Sequence, residues 1–220
     1  MTELEAIRAR HSVRAYLQKT IPVEIRRELD AFAEACNRES GLHITIQYDD
    51  PTGFDSRLAH YGRFRNVNNY IVLAGVPGAD FDYLCGYYGE KLVLLAQQLG
   101  LNTCWAALTF NKKKVRELIP EGERLCMVIA LGYGEGQGNP HRSKDASKVS
   151  ELEESPEWFR KGLEAALLAP TAVNQQKFSF GMQNGEPTVR VKGSGACTQV
   201  DLGIVALHFE IGSGKQVKKA

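Results

Sequence analysis

Two short polar segments carry the residue types that bind and orient a small anionic ligand. Arg10-His11-Ser12-Val13-Arg14 gathers two guanidinium groups and a hydroxyl within five positions. A guanidinium forks onto phosphate oxygens and a hydroxyl adds a donor, so the triple is a candidate phosphate cradle. Each charge-assisted bond would contribute roughly 1.5–3 kcal/mol, less where solvent reaches it. A solvated basic turn has the same composition, and the pattern R-x-S-x-R by itself favours that plainer reading. The second segment is Ala169-Pro170-Thr171-Ala172-Val173-Asn174-Gln175-Gln176, where a helix runs out into Pro-Thr and amides follow on a loop. Asn and Gln offer both donors and acceptors, which suits a heterocycle alternating carbonyls with ring nitrogens. A helix end whose amides bond the local backbone accounts for it equally well.

The elements that would position these residues follow from pattern. Residues 2–10 read as a short helix leading into Arg10. Pro22 and Glu24 open a helix to about Arg38, with proline at its start and an acid in its first turn. Leu42 to Tyr48 alternates as a strand, Asp49 to Gly53 is a loop, and Tyr70 to Gly75 is a strand stopped by Pro77-Gly78. Leu84, Tyr88, Leu92, Leu95 and Leu99 recur at helical spacing over 81–99, with Gly100 at the C-terminal cap. Asn111 caps a helix through Leu118. Leu125 to Leu131 is almost wholly apolar and so is expected to be a central strand covered on both faces. Residues 138–155 are polar and read as a linker. Ser155 and Pro156 start a helix to Leu168, with Ser155 as its N-cap. Phe178-Ser179-Phe180 and Thr188 to Val191 form a hairpin across Asn184-Gly185. A last helix covers about Thr198 to Ile211, and the Gly- and Lys-rich tail is expected to be loose.

Helix 22–38 contains Leu29-Asp30-Ala31 and helix 156–168 contains Leu163-Glu164-Ala165; Leu84-Cys85-Gly86 and Asp201-Leu202-Gly203 make a second such pair. These matches are short, and they acquire weight because both halves offer a helix, a strand pair and a helix in one order.

Other chemistry is poorly supported. Gly132 to Pro140 is glycine-rich and follows a strand, but it lacks G-x-G-x-x-G spacing and leads into charged residues, so it reads as a solvent-exposed turn rather than a dinucleotide loop. The five histidines have no metal-type spacing, and His208-Phe209-Glu210 lacks a cysteine pair. Lys112-Lys113-Lys114 reads as a solvated face, Tyr87 and Tyr88 as helix packing, and Cys104 as a buried structural thiol. The 220 residues suffice for one large domain or two small lobes. Apolar residues make up 43% and charged residues 24%, as in ordinary globular proteins. A net charge of +1 gives no electrostatic case for nucleic acid or a membrane surface. Five scattered cysteines without a C-x-x-C pair fit reduced thiols. The polar, acidic start does not resemble a signal peptide, and the apolar runs are short for a bilayer. A cytoplasmic protein is expected.

Taken together, the motifs resemble the FMN-dependent nitroreductase family. Arg10 to Tyr16 is similar to that family's R-x-S-x-R-x-[FY], which implies that Arg10, His11, Ser12 and Arg14 hold the FMN phosphate and ribityl chain. Leu99-Gly100-Leu101-Asn102-Thr103-Cys104-Trp105 is similar to L-G-L-G-[ST]-x-W, so Trp105, Ala106 and Ala107 would lie along the flavin, with Ala106-Ala107 replacing the usual Ile-Gly. Arg142 and Lys144 fall where the family keeps basic residues on the phosphate. Residues 169–178 resemble A-P-S-x-x-N-x-Q-P-W, which assigns Pro170, Thr171, Ala172 and Asn174 to the flavin and Gln176 to loop support; Lys177-Phe178 departs from Pro-Trp. The resemblance implies an α+β fold with a central, mostly antiparallel sheet flanked by helices. It implies hydride transfer from NADH or NADPH to FMN and on to a nitroaromatic, a quinone or a similar small-molecule acceptor, with no catalytic side chain and no metal. A non-catalytic FMN sensor or carrier is the alternative, and an interaction domain that has lost flavin is a third. The order of motifs departs from the family: where A-P-S-x-x-N belongs, the chain has Cys36 to Gly41. Residues 1–150 are therefore expected to supply one subunit's part and residues 151–220 the other's, as a single-chain pseudodimer with one flavin.

Overall fold

The computed structural model describes residues 1–152 and 154–220, which form two compact units. One unit comprises Arg10–Phe81 and Leu92–Asn139. Its sheet has the order β1-β2-β4-β3 and is antiparallel throughout, with β1 Leu42–Gln47, β2 Asn69–Gly75, β3 Asn102–Ala106 and β4 Arg124–Gly132. The apolar run predicted to be central is interior: Val128 to Leu131 have no solvent exposure. Alternation sends Tyr70, Val72, Cys104, Ala106, Val128 and Ala130 into one core with Val13, Tyr16, Phe54, Phe64 and Phe110. Helix α2 (Val23–Ser40) packs on β1, burying Leu29, Ala33 and Cys36. Short helices α3 (Arg57–Tyr61) and α5 (Lys112–Arg116) are capped by Ser56 and Asn111 side chains.

The other unit comprises Met1–Ala9, Asp82–Lys91 and Pro140–Ala220. It holds α1 (Glu3–Ala9), the first half of α4 (Phe81–Gln98), α6 (Glu157–Ala166), α7 (Thr198–Ser213) and a small sheet of β5 (Phe178–Gln183), β6 (Glu186–Val191) and β7 (Lys218–Lys219). The β5–β6 hairpin turns on Asn184 and Gly185, both with positive φ (53° and 80°), as a type I′ turn requires. Helix α7 is buried almost all round, and Phe209 stacks on Phe180 at 4.5 Å and meets Phe159 edge-on. Buried His208 joins Glu90 (2.9 Å) and the Ala165 carbonyl (3.1 Å). The carbonyl can only accept, so Nδ1 carries a proton.

Helices α4 and α7 cross at glycines. A Cβ on Gly86 would lie 2.0 Å from the Val200 carbonyl oxygen, and one on Gly203 would lie 2.0 Å from that of Tyr83. The contacts are reciprocal, each glycine opposing the carbonyl three residues before its counterpart. These glycines close the paired segments Leu84-Cys85-Gly86 and Asp201-Leu202-Gly203.

Three expectations need correction. The stretch 138–155 is not a free linker. Val149 is fully buried, the Phe180 amide donates to its carbonyl and the Glu151 amide donates to Phe180, so this segment runs beside β5. Position 153 lies outside the described residues. Pro156, not Ser155, is the N-cap of α6, with no side-chain bond there. The tail is not loose: Val217 is buried, its amide donates to Glu210, and Lys218–Lys219 pairs in parallel with β6.

Candidate functional site

Strand β3 is a sheet edge, and the first polar segment lies against it. Ser12 pairs in parallel with Thr103, and the Val13 amide donates to the Thr103 carbonyl at 3.0 Å. Backbone bonds from Tyr16 to Arg65, from Arg65 to Arg14, from Leu17 to Tyr133 and from Glu135 to Ala15 then fix the segment. The buried Tyr16 hydroxyl donates back to the Val13 carbonyl at 2.7 Å. The backbone carrying Ser12 and Arg14 is thus tied at both ends, as a preorganised donor array needs.

The side chains of this array act on a common neighbour, Cys104. Burial pushes the Cys104 thiol up, while the charges of Arg14 and Arg10 and a hydrogen bond with Ser12 oppose that shift. Arg10 is 5% exposed, whereas Ser12 is half-buried and Arg14 open to solvent. Trp105 and Ala106 continue β3 past the Ser12 bridge, and Ala107 follows.

The glycine-rich turn after β4 is exposed from Glu135 onward, but it is also built onto this array. A Cβ on Gly134 would stand 2.8 Å from Val13, and one on Gly138 (φ 74°) would stand 2.8 Å from the Cβ of His11. Asn102, buried at the start of β3, accepts from the Gly134 amide (3.0 Å) and donates to Gln137 (3.1 Å). Asn102, Gly134 and Gly138 escaped the motif-based reading. Their signal was a polar residue inside an apolar run, and glycines whose spacing served a neighbouring segment rather than a dinucleotide.

In the other unit the second polar segment forms a hydrogen-bonded knot. The Arg142 carbonyl accepts from the Asn174 amide (2.8 Å) and the Gln176 amide (2.9 Å). Gln176 also donates to Asn174 Oδ1 and accepts from the Lys144 amide. Lys144 Nζ donates to the carbonyls of Gln175 and Gln176, and Thr171 Oγ1 accepts from the Gln176 amide. Gln176 is 3% exposed and supports the loop. Asn174 is exposed and retains one N–H and one lone pair for a ligand. The structure therefore brings Arg142, Lys144, Thr171, Asn174 and Gln176 together, with Pro170 and Ala172 beside them on the loop.

Asp201 anchors this loop and was also missed. Its carboxylate accepts from the Ala172 amide (2.9 Å) and the Gln175 side chain (2.7 Å). Burial raises its pKa to about 6 although both bonds favour the ionised form. A lone acid inside the apolar run Val200–Phe209 was the available clue. The loop is strained: Val173, Asn174 and Gln176 have φ of 47°, 56° and 45°, and Val173 is 97% exposed. A β-branched residue in that region is rare outside functional turns.

Residues 3–213 match the family described as "Putative TM nitroreductase". No curated protein matches the chain. Among solved structures, the chain is similar to a "putative nitroreductase" of Thermotoga maritima at 24% identity, with 96% of this chain and 83% of that one covered and a TM-score of 0.69. An FMN-dependent nitroreductase of Clostridium difficile aligns at 16% identity over 68% of this chain and 98% of its own, with a TM-score of 0.55. A Bacteroides fragilis nitroreductase with bound FMN aligns at 21% over 70% and 100%, with a TM-score of 0.52. At these identities the likeness shows a shared fold.

Proposed function

Because the chain belongs to this nitroreductase family, we propose that it is an FMN-dependent oxidoreductase, drawing hydride from NADH or NADPH and reducing a nitroaromatic, quinone or similar small acceptor. The observation that carries the reading is the Arg10–Arg14 segment fixed along the β3 edge, where Ser12 bridges Thr103 and the buried Arg10 leads into it. That donor set fits a phosphate monoester. The glycines at 134 and 138 let a turn close on the array where any side chain would intrude.

When bound, FMN supplies the hydride and electron chemistry. The chain's own part is binding and orientation. Arg10, Ser12 and Arg14, helped by His11, would hold the phosphate and ribityl chain. Trp105, Ala106 and Ala107 would offer backbone to the ring, and the two alanines small side chains. Pro170, Thr171, Ala172 and Asn174 form a loop rim stiffened by Gln176 and Asp201. The reciprocal glycine crossing of α4 and α7 supports the pseudodimer reading, since contacts of residue i with j and of j with i are the mark of two-fold pairing.

The test is the visible absorption spectrum of the purified protein, before and after anaerobic addition of NADH or NADPH. A flavin spectrum that bleaches is the expected result. A flavin that stays oxidised would make the protein a carrier or sensor, and a colourless protein that takes up no added FMN would end the flavoprotein reading.

A further inference from the structure

Beside the Asn174–Gln176 loop lies an open cleft of about 490 Å³ lined by Lys144, Ser147, Lys148, Gln176, Lys177 and Lys192. Four of these six residues are lysines and none is acidic. Their ammonium groups feel one another, since Lys192, Lys177 and Lys148 all act to lower the Lys144 pKa along with burial. Three are held by backbone carbonyls instead of carboxylates: Lys144 by Gln175 and Gln176, Lys177 by Ser194, and Lys192 by Lys148. Among the described residues none of the four forms an ion pair with a carboxylate. Four like charges around one concavity repel, and a chain with 26 acidic residues against 27 basic ones has ample carboxylates to relieve them. Carbonyl anchoring fixes the ammonium positions without cancelling their charge. Lys148, Lys177 and Lys192 lie outside the residues assigned to the flavin, whereas Lys144 and Gln176 are shared with them.

We propose that this cleft docks a phosphate dianion of the nicotinamide donor, the 2′-phosphate that NADPH has and NADH lacks. The assignment to the donor rests on the oxidoreductase reading above. Lysines act as mobile point charges rather than planar forks, which suits a ligand that arrives and leaves at each turnover. The cleft shares Lys144 and Gln176 with the loop assigned to the flavin, so a dinucleotide lying there abuts the loop. Its openness to solvent makes the attraction dependent on salt.

The experiment is calorimetric binding of 2′,5′-ADP and of 5′-AMP to protein saturated with FMN, for the wild type and for a Lys148→Gln/Lys192→Gln variant, with Lys177→Gln as an independent variant. The expected result is at least tenfold tighter binding of 2′,5′-ADP, a preference that falls in both variants and at high salt while their thermal midpoints hold. Equal binding of the two nucleotides overturns the inference. So does displacement of 2′,5′-ADP by excess FMN, which would make the cleft the flavin's own phosphate site. Because binding is measured without turnover, a colourless protein that still prefers 2′,5′-ADP would sink the flavin reading and leave the phosphate cleft standing.

Discussion

At the scale of single residues, the proposed cradle's strength would rest on a guanidinium that solvent barely reaches. Arg10 is buried, whereas Arg14 is exposed, so in the proposed cradle Arg10 would be the cation whose bond to phosphate is least screened. Arg10→Ala is expected to weaken FMN binding by about 1.5–3 kcal/mol while moving the unfolding midpoint far less, as flavin fluorescence titration and thermal melts would show. Equal loss of fold and flavin would count against the assignment. Val173 makes the opposite case, a residue whose conformation opposes stability. Left-handed backbone costs a branched side chain about 1–2 kcal/mol, and no burial repays Val173 for it. Val173→Asn, which tolerates that region, should raise stability by up to about 1 kcal/mol in denaturant melts; an unchanged or lower value would mean the turn is not strained. Asp201 gives a pH signature. Its folded pKa of about 6 lies above the unfolded 3.8, so the folded state holds the extra proton between those values. Ionising it on the way up therefore removes stability, roughly 3 kcal/mol in full, as pH rises from about 4 to about 6. Asp201→Asn cannot ionise, so its stability relative to wild type should improve across that window. A difference that stays flat between pH 4 and 7 would show that Asp201 is not held neutral by burial.

At the scale of elements, the glycine crossing governs how closely α4 and α7 approach. With carbonyl oxygens 2.0 Å from either added Cβ and backbone on both sides, neither helix can yield locally. Gly203→Ala should cost about 3 kcal/mol or more, whereas Gly78→Ala, which meets nothing within 4 Å, should stay within about 0.5 kcal/mol. Similar melting points for the two would refute close packing at Gly203. That crossing was half legible in the chain, since the paired Gly86 and Gly203 segments were visible but their contact was not. Helix 81–98 and the apolar strand through Leu131 were legible because period and burial agree along them. Strand β3 was not. Asn102-Thr103-Cys104-Trp105-Ala106 is five residues at a sheet edge with no alternation, and its motif resemblance drew attention away from its backbone state. The segment 138–155 misled for a related reason. Its polarity is real, but Val149 is buried, and bonds to Phe180, Leu167 and the Asn174–Gln176 loop, silent in any composition, hold the rest. The candidate site divides the same way: Arg10, Ser12, Asn174 and Gln176 announced themselves by type and spacing, while Asn102 and Asp201 hold loops from positions that only the folded chain brings near.

At the scale of the whole molecule, the question is how many flavins one chain holds. Apart from α3, inserted between β1 and β2, the element order α2-β1-β2-α4 recurs as α6-β5-β6-α7, each with an antiparallel strand pair between its outer helices. The helices that close the two runs meet through reciprocal contacts at Gly86 and Gly203. Full two-fold equivalence would provide two cradles and two amide loops. The sequence provides one of each, because Arg10-His11-Ser12-Val13-Arg14 has no counterpart in the second run and the Pro170–Gln176 loop has none in the first. On the proposed pseudodimer reading, FMN would bind at a stoichiometry set by the scarcer component. FMN titrated into apoprotein, followed by quenching of flavin fluorescence, is therefore expected to saturate at one flavin per chain. The same end point is expected at protein concentrations where sedimentation shows only monomer. Saturation at two per chain would mean that a second cradle exists in residues of another type. Saturation that appears only when chains associate would restore the obligate homodimer and remove the reason for a displaced loop.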